Sequence, residues 1–235
     1  MTLTQISRRG LILGAPVTLL AAKANALHIG CRADSADLLE TLPRLKQAGF
    51  EGFLTSYTSL QSHFTEPDAA RGRLKKSGLR FFGMHVTLNR YDPQTAIAPY
   101  SLLARVADAC AALGAERLIA SGASTAHPAA LAAKVEGLNR IADYCHNLRI
   151  GFAYFGDQQL ETLVDGTDHS RVHFVLGASA IDMLAKNARR VDGIQLPVDS
   201  GFAVVRKAIE SAQWKGWLIA EDSASFGAIR GISAS

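Results

Sequence analysis

Residues 149–222 read RIGFAYFGDQQLETLVDGTDHSRVHFVLGASAIDMLAKNARRVDGIQLPVDSGFAVVRKAIESAQWKGWLIAED. Four short apolar runs stand out: Ile150–Tyr154, Val172–Leu176, Val191–Leu196 and Gly216–Ala220. Each is rich in β-branched or aromatic residues, and none alternates cleanly between apolar and polar. Strands covered on both faces read this way, because neither face must stay polar. Asp157–Val164, Ser179–Arg189 and Gly201–Ala212 lie between them with helical spacing. Strand and helix in strict alternation imply parallel, right-handed crossovers. Such a sheet carries its working residues just past the strand C-termini. Those positions are Tyr154–Asp157, Leu176–Ser179, Gln195–Asp199 and Glu221–Asp222.

The same rhythm extends toward the N-terminus. Leu27–Cys31 reads as a first strand, followed by a helix with Leu38, Leu42 and Leu45 on one face, which Asp34 or Ser35 can cap. Phe50–Leu54 is a second strand, and Thr55–Phe64 is a polar loop that holds Tyr57 and His63. A short helix, Glu66–Lys76, leads to a third strand, Leu79–Val86, which ends in His85. Helix Tyr100–Leu113, strand Arg117–Ala120, the loop SGAST and a long helix, Pro128–Leu148, complete the count. The long helix turns Leu131, Val135, Leu138, Ile141 and Cys145 to the core. The expected fold is α/β, a compact eight-stranded (β/α)8 TIM barrel. A barrel of this type usually takes about 250 residues, so the loops must be short and the last helix truncated or missing.

Residues 1–26 are expected to lie outside the barrel, which occupies 27–235 as one domain. Ser7-Arg8-Arg9-Gly10-Leu11-Ile12-Leu13 resembles a twin-arginine export signal, and Ala24-Asn25-Ala26 offers a small-residue cleavage site. The apolar run Leu11–Ala22 falls short of the about 20 residues that span a bilayer, so no stable anchor is expected after cleavage. The expected destination is the periplasm or the exterior. Removing Arg8, Arg9 and Lys23 takes the formal net charge of +4 to +1. The basic balance is therefore an export feature and gives no reason to expect nucleic acid. Of three cysteines, Cys31 ends the first strand and could face the barrel mouth. Cys110 and Cys145 read as small buried hydrophobes, with a helix-to-helix disulfide as the alternative.

The segment from Leu163 to Ser223, together with AGFEGF after the first helix and GLRFFGMH at the third strand, resembles the xylose isomerase-like TIM barrels of the sugar phosphate isomerase/epimerase superfamily. In secreted members of that group the fifth strand typically ends Tyr-His-Asn-His, the sixth Leu-Asp, the seventh His-x-Lys-Asp and the eighth Val-Glu-x-Asp. The resemblance implies a divalent metal, Mn, Mg or Zn, held by carboxylates and a histidine against a hydroxy-ketone or polyol. It also implies a carbohydrate-like substrate and a homodimer. This chain departs from the pattern: it reads Tyr154-Phe155-Gly156-Asp157, Leu176-Gly177 and Gln195-Leu196-Pro197, and only Glu221 and Asp222 agree.

The candidate residues follow. Glu221 closes an apolar strand, as metal ligand or general base, or as an ion pair with Arg32. His85 would hold a hydroxyl or shuttle a proton, unless loop carbonyls satisfy it. Gln195 could ligate the metal beside Glu221 through its carbonyl oxygen, or bind a substrate hydroxyl. Asp157 could replace a missing carboxylate or cap the helix at Gln158. Arg32 and Tyr57 are substrate-binding candidates, with Asp199 and Asp222 as weaker ones. His28, His169 and His173 show no metal spacing, and no nucleophile elbow, P-loop or HExxH occurs. The expected function is an exported sugar isomerase, epimerase or lyase. The alternative is a non-catalytic barrel that binds a carbohydrate or a protein partner.

Overall fold

The computed structural model describes residues 27–35, 37–125, 127–156, 159–197 and 201–233. The export segment, Asp157 and Asp199 lie outside the described residues. Eight parallel strands close into a barrel in chain order. They are β1 (His28–Arg32), β2 (Gly52–Ser56), β3 (Arg80–Val86), β4 (Arg117–Ser121), β5 (Gly151–Phe155), β6 (Val172–Gly177), β7 (Val191–Leu196) and β8 (Trp217–Ala220). The pairing of β1 with β8, from His28 opposite Trp217 to Cys31 opposite Ala220, removes the last free edge.

The helices wrap this cylinder. They are α1 (Leu38–Ala48), α2 (Tyr57–Leu60), α3 (Pro67–Lys76), α4 (Tyr100–Leu113), α5 (Pro128–Asn147), α6 (Leu160–Gly166), α7 (Leu184–Asn187), α8 (Phe202–Ala212) and α9 (Phe226–Ser233). The last helix is present and short: α9 runs for 8 residues and buries Ile229. Three other sequence expectations need correction. Neither Asp34 nor Ser35 caps α1, whose N-cap is Asp37. The run Ser179–Arg189 is broken into 3-10 turns around the four-residue α7. On α5 Leu131 and Val135 are only half buried, while Lys134 is buried and donates to the Ala123 carbonyl at 3.0 Å.

Two cores result from the pleat. Most apolar side chains, including Leu42, Val106, Ile141 and Ile194, pack between strands and helices. A second cluster lies inside the cylinder: Leu54, Phe82, Ile119, Ala153, Val175, Trp217 and Ile219, capped by Phe155. Burying each large apolar side chain contributes about 1.5–3 kcal/mol. Gly30 and Gly52 leave the space that Trp217 fills, since a Cβ on Gly52 would meet its ring at 2.4 Å and the Arg80 carbonyl at 2.7 Å.

The N-terminal end of the cylinder is plugged by charge. His28 bonds Glu51 at 2.7 Å, and Arg80 grips Glu116 through two bonds of 2.8 and 3.0 Å. Arg117 pairs with Asp192, which also bonds His173 at 2.9 Å. The guanidinium groups of Arg80 and Arg117 lie 4.8 and 4.6 Å from the ring centroids of Trp217 and Phe82. The charges at this end are paired with one another, away from the C-terminal face where barrels of this type carry their working residues.

All three cysteines are free and buried, so the Cys110–Cys145 disulfide is not formed. Cys31 faces the helix-side core instead of the mouth. No helix among the described residues is long and apolar enough to cross a membrane. The Gly52 geometry sets a test of the interior packing. Gly52→Ala should cost about 1–3 kcal/mol in a urea melt followed by tryptophan fluorescence, because neither the indole nor the Arg80 backbone can retreat.

Candidate active site at the open end of the barrel

Inward positions recur every second residue along a strand, except on β3, where a register shift opposite Phe53 and Leu54 puts both Phe82 and His85 inward. At the C-terminal end of the cylinder they are Arg32, Ser56, His85, Ser121, Phe155, Gly177, Gln195 and Glu221. Register pairs Ser56 with His85, Ser121 with Phe155 and Gly177 with Gln195. Glu221 extends the β8 ladder by one bond, its N–H to the Leu196 carbonyl at 3.2 Å. The ring is staggered, as the tilt of strands in a barrel requires.

One side of this ring is a hydrogen-bonded relay. Asp34 accepts from Arg32 Nε at 2.6 Å. Arg32 Nη1 reaches His85 Nδ1 at 3.3 Å, and His85 Nε2 lies 2.6 Å from Ser121 Oγ and 3.3 Å from Thr87 Oγ1. His85 is 2 % exposed, and its ring meets Phe155 edge-on at 5.4 Å. Burial, helped by the Arg32 charge, pushes its pKa down to about 3, against a smaller upward pull from Asp34. His85 is thus a neutral imidazole at physiological pH, with both ring nitrogens engaged.

On the far side, Gln195 Nε2 donates to Glu221 Oε1 at 3.0 Å. Gln195 is 4 % exposed, whereas Glu221 is exposed at the mouth. The sequence reading places Glu221 in an apolar interior, where a carboxylate is costly. The structure instead sets it at the solvent edge, turned toward the lumen by the buried amide. Its envisaged ion pair with Arg32 is not formed, since Arg32 pairs with Asp34. Gln195 Oε1 is buried and has no hydrogen-bond partner among the described residues. A carboxylate only accepts, so Nε2 must face Glu221, and the amide orientation is fixed.

The remaining candidates are placed elsewhere. Asp222 accepts from the Ser225 N–H and hydroxyl, both at 2.9 Å, and caps the turn Ser223–Ser225. The Tyr57 ring starts α2 and packs against the helix-side core. Asp34, Thr87 and Ser121 were missed by sequence reasoning. Strand parity carried the signal for Ser121: with Arg117 and Ile119 inward on β4, Ser121 must be inward as well.

The chemistry of the ring can be tested against a divalent ion. Among the described residues, no three His, Cys, Asp or Glu side chains gather in metal-binding geometry. Glu221 and the orphaned Gln195 oxygen supply two donors, while a hard cation of this kind wants about six. Phe155 and Gly177 occupy the two intervening positions and donate nothing. The described residues do not fit the metal that the resemblance implies.

The fold, then, is an eight-stranded TIM barrel, and solved xylose isomerase-like barrels are similar to it. The xylose isomerase domain protein of Planctomyces limnophilus superposes with a TM-score of 0.70 at 12 % identity, over 88 % of this chain and 96 % of that one. The D-allulose 3-epimerase of Methylomonas sp., solved in complex with D-allulose, gives 0.65 at 16 % identity over 84 % of each chain. A xylose isomerase-like TIM barrel/4-hydroxyphenylpyruvate dioxygenase fusion protein gives 0.63 at 15 % identity, over 83 % of this chain and 38 % of its own length. No protein-family model matches the chain, and no curated protein matches it in sequence.

His85 and His173 set a pH dependence. Burial also lowers the His173 pKa, to about 4. Both folded values lie below the unfolded value of about 6.5. As pH falls, the unfolded chain takes up these protons first, so stability is complete above about 6.5 and is lost toward 4. Denaturant melts between pH 7 and pH 4.5 should show falling stability, by up to about 1.4 kcal/mol per unit for each histidine. His85→Asn should flatten that slope.

Proposed function

We propose that the barrel takes a small sugar-like hydroxy-carbonyl compound into its C-terminal mouth and moves a proton beside the carbonyl. The observation that carries this reading is the orphaned Gln195 oxygen next to Glu221. A buried acceptor without a partner costs about 1–3 kcal/mol, and a ligand hydroxyl would relieve that cost. Such a ligand would lie against the Glu221 carboxylate.

Glu221 is the base in this scheme. It takes the proton from the carbon beside the carbonyl, and the electron pair passes into an enediolate. Protonation of the opposite face of the same carbon by water from the open mouth, with the proton on Glu221 released to solvent, gives an epimer. Return of the proton from Glu221 to the neighbouring carbon gives an isomer. Gln195 Nε2 holds the carboxylate in place, and Gln195 Oε1 accepts a substrate hydroxyl. His85 and Arg32 act as a positioning pair. The Methylomonas epimerase, solved with D-allulose, supports ketoses as the compounds to try first. No step depends on a metal, because the described donors do not fit one.

The thin donor set favours a second reading, in which the barrel binds a carbohydrate without turning it over. Solvent exchange separates the two. The full chain in D2O with D-allulose or L-ribulose should place deuterium beside the carbonyl, with or without chelator. Glu221→Gln should slow that exchange by about 10²–10⁴ fold. Ketose binding without exchange would leave the non-catalytic reading standing.

Export is part of the proposal, supported by Arg8-Arg9 and the apolar run behind them. Replacing both arginines by lysine should retain the protein in the cytoplasmic fraction of a host that has the twin-arginine system. Unchanged export would refute this assignment.

A further inference from the structure

We infer that Ser121 is the residue that grips the ligand's carbonyl oxygen, as a hydroxyl donor whose direction is set from three residues away. This inference rests on the ligand class proposed above and names the group that recognises it. The argument begins with Arg32. A guanidinium has donors and no acceptor. With Arg32 Nη1 at 3.3 Å, His85 Nδ1 must therefore be the acceptor. A neutral imidazole that accepts at Nδ1 carries its proton on Nε2. That proton points along the 2.6 Å contact to Ser121 Oγ.

The consequence for Ser121 is the reverse of nucleophile activation. A base would take the serine proton, whereas His85 offers one. One lone pair of Oγ is occupied by the Nε2–H bond, and the serine O–H is left to donate into the lumen. Chains of hydrogen bonds polarise one another, so this hydroxyl is a stronger donor than an isolated one. Ser121 is 8 % exposed, and its partner in register is Phe155, which offers no acceptor. Asp34 holds Arg32 in place and keeps the direction of the relay fixed.

Topology adds the second half. Ser121 ends β4 and Glu221 follows β8, so they stand four strands apart in a ring of eight. The mouth is therefore polarised. Its β4 side donates through Ser121, and its β7–β8 side accepts through Gln195 Oε1 and Glu221. A 2-hydroxy carbonyl compound matches that pattern. Its carbonyl oxygen accepts from Ser121, a hydroxyl donates to Gln195, and the intervening C–H faces Glu221. A donor on the carbonyl oxygen also stabilises the negative charge that develops there as the proton leaves.

The test has two independent arms. The first is a long-range proton–nitrogen spectrum of the histidine-labelled full chain at pH 7. It should show His85 neutral and protonated on Nε2. Protonation on Nδ1 would overturn the inference. The second arm measures binding of D-allulose and L-ribulose by calorimetry. Ser121→Ala should weaken it at least about tenfold, the equivalent of one hydrogen bond of about 1.4 kcal/mol. Ser121→Thr, which keeps the hydroxyl, should recover most of the affinity. Equal affinity for Ser121→Ala and the unaltered chain would refute the donor role even if Glu221→Gln abolished exchange. If the unaltered chain bound neither ketose, the functional reading itself would fail, and the donor direction would stand or fall on the nitrogen spectrum.

Discussion

The pairing of β8 with β1 is the constraint on which the rest depends. Closure leaves every strand with an inside and an outside, and a pleat of period two then assigns each residue to one of them. A slip of β8 by one residue in that last pairing would send Glu221 to the helix side and Ala220 to the lumen. The slip is opposed by Trp217, whose ring fits only where Gly30 and Gly52 have no side chain. The packing of one indole at the bottom of the cylinder therefore fixes which residues face the mouth at the top. A mismatch there would cost more than any single surface ion pair could offset, since exposed pairs contribute only about 0–1 kcal/mol.

The two ends of the lumen use charge differently. At the bottom, Arg80, Glu116, Arg117, Asp192, His28, Glu51 and His173 are consumed by one another. Arg117 remains charged there, although burial brings its pKa down to about 10. At the top, pairing is incomplete. Arg32, Asp34, His85 and Ser121 form a connected run, but among the described residues Gln195 Oε1 has no partner and Glu221 has only the amide. At the bottom, Arg117 Nε is also buried without a partner among the described residues, and each such group calls for its own explanation.

The fold was legible because the apolar runs were short, β-branched and regularly spaced. All eight strands fall within about two residues of their expected bounds, the scatter normal for element ends. Helices that rested on a clean stripe, such as Tyr100–Leu113, were read to the residue. The failures have local causes. The segment after β6 lacks a sustained stripe and breaks into turns around Ala180, whose backbone is non-helical. Lys134 was overlooked because a lysine reads as a solvated face. Its ammonium instead bonds the Ala123 carbonyl and lies 4.8 Å from the Tyr154 ring centroid. Desolvation lowers its pKa to about 8.

The site was half legible for a related reason. Position along a strand can be counted, so His85, Gln195 and Glu221 were found at strand ends. Pairing cannot be counted. Arg32 was expected to bind substrate or, alternatively, to neutralise Glu221, but it pairs with Asp34, two residues away, and reaches His85. That choice frees the Glu221 carboxylate from any cation among the described residues and gives His85 its tautomer. The seventh-strand glutamine then matters more than its substitution for a histidine suggests. A histidine in that place would offer one nitrogen to a metal. The amide instead spends its N–H on the carboxylate and leaves an acceptor in the lumen.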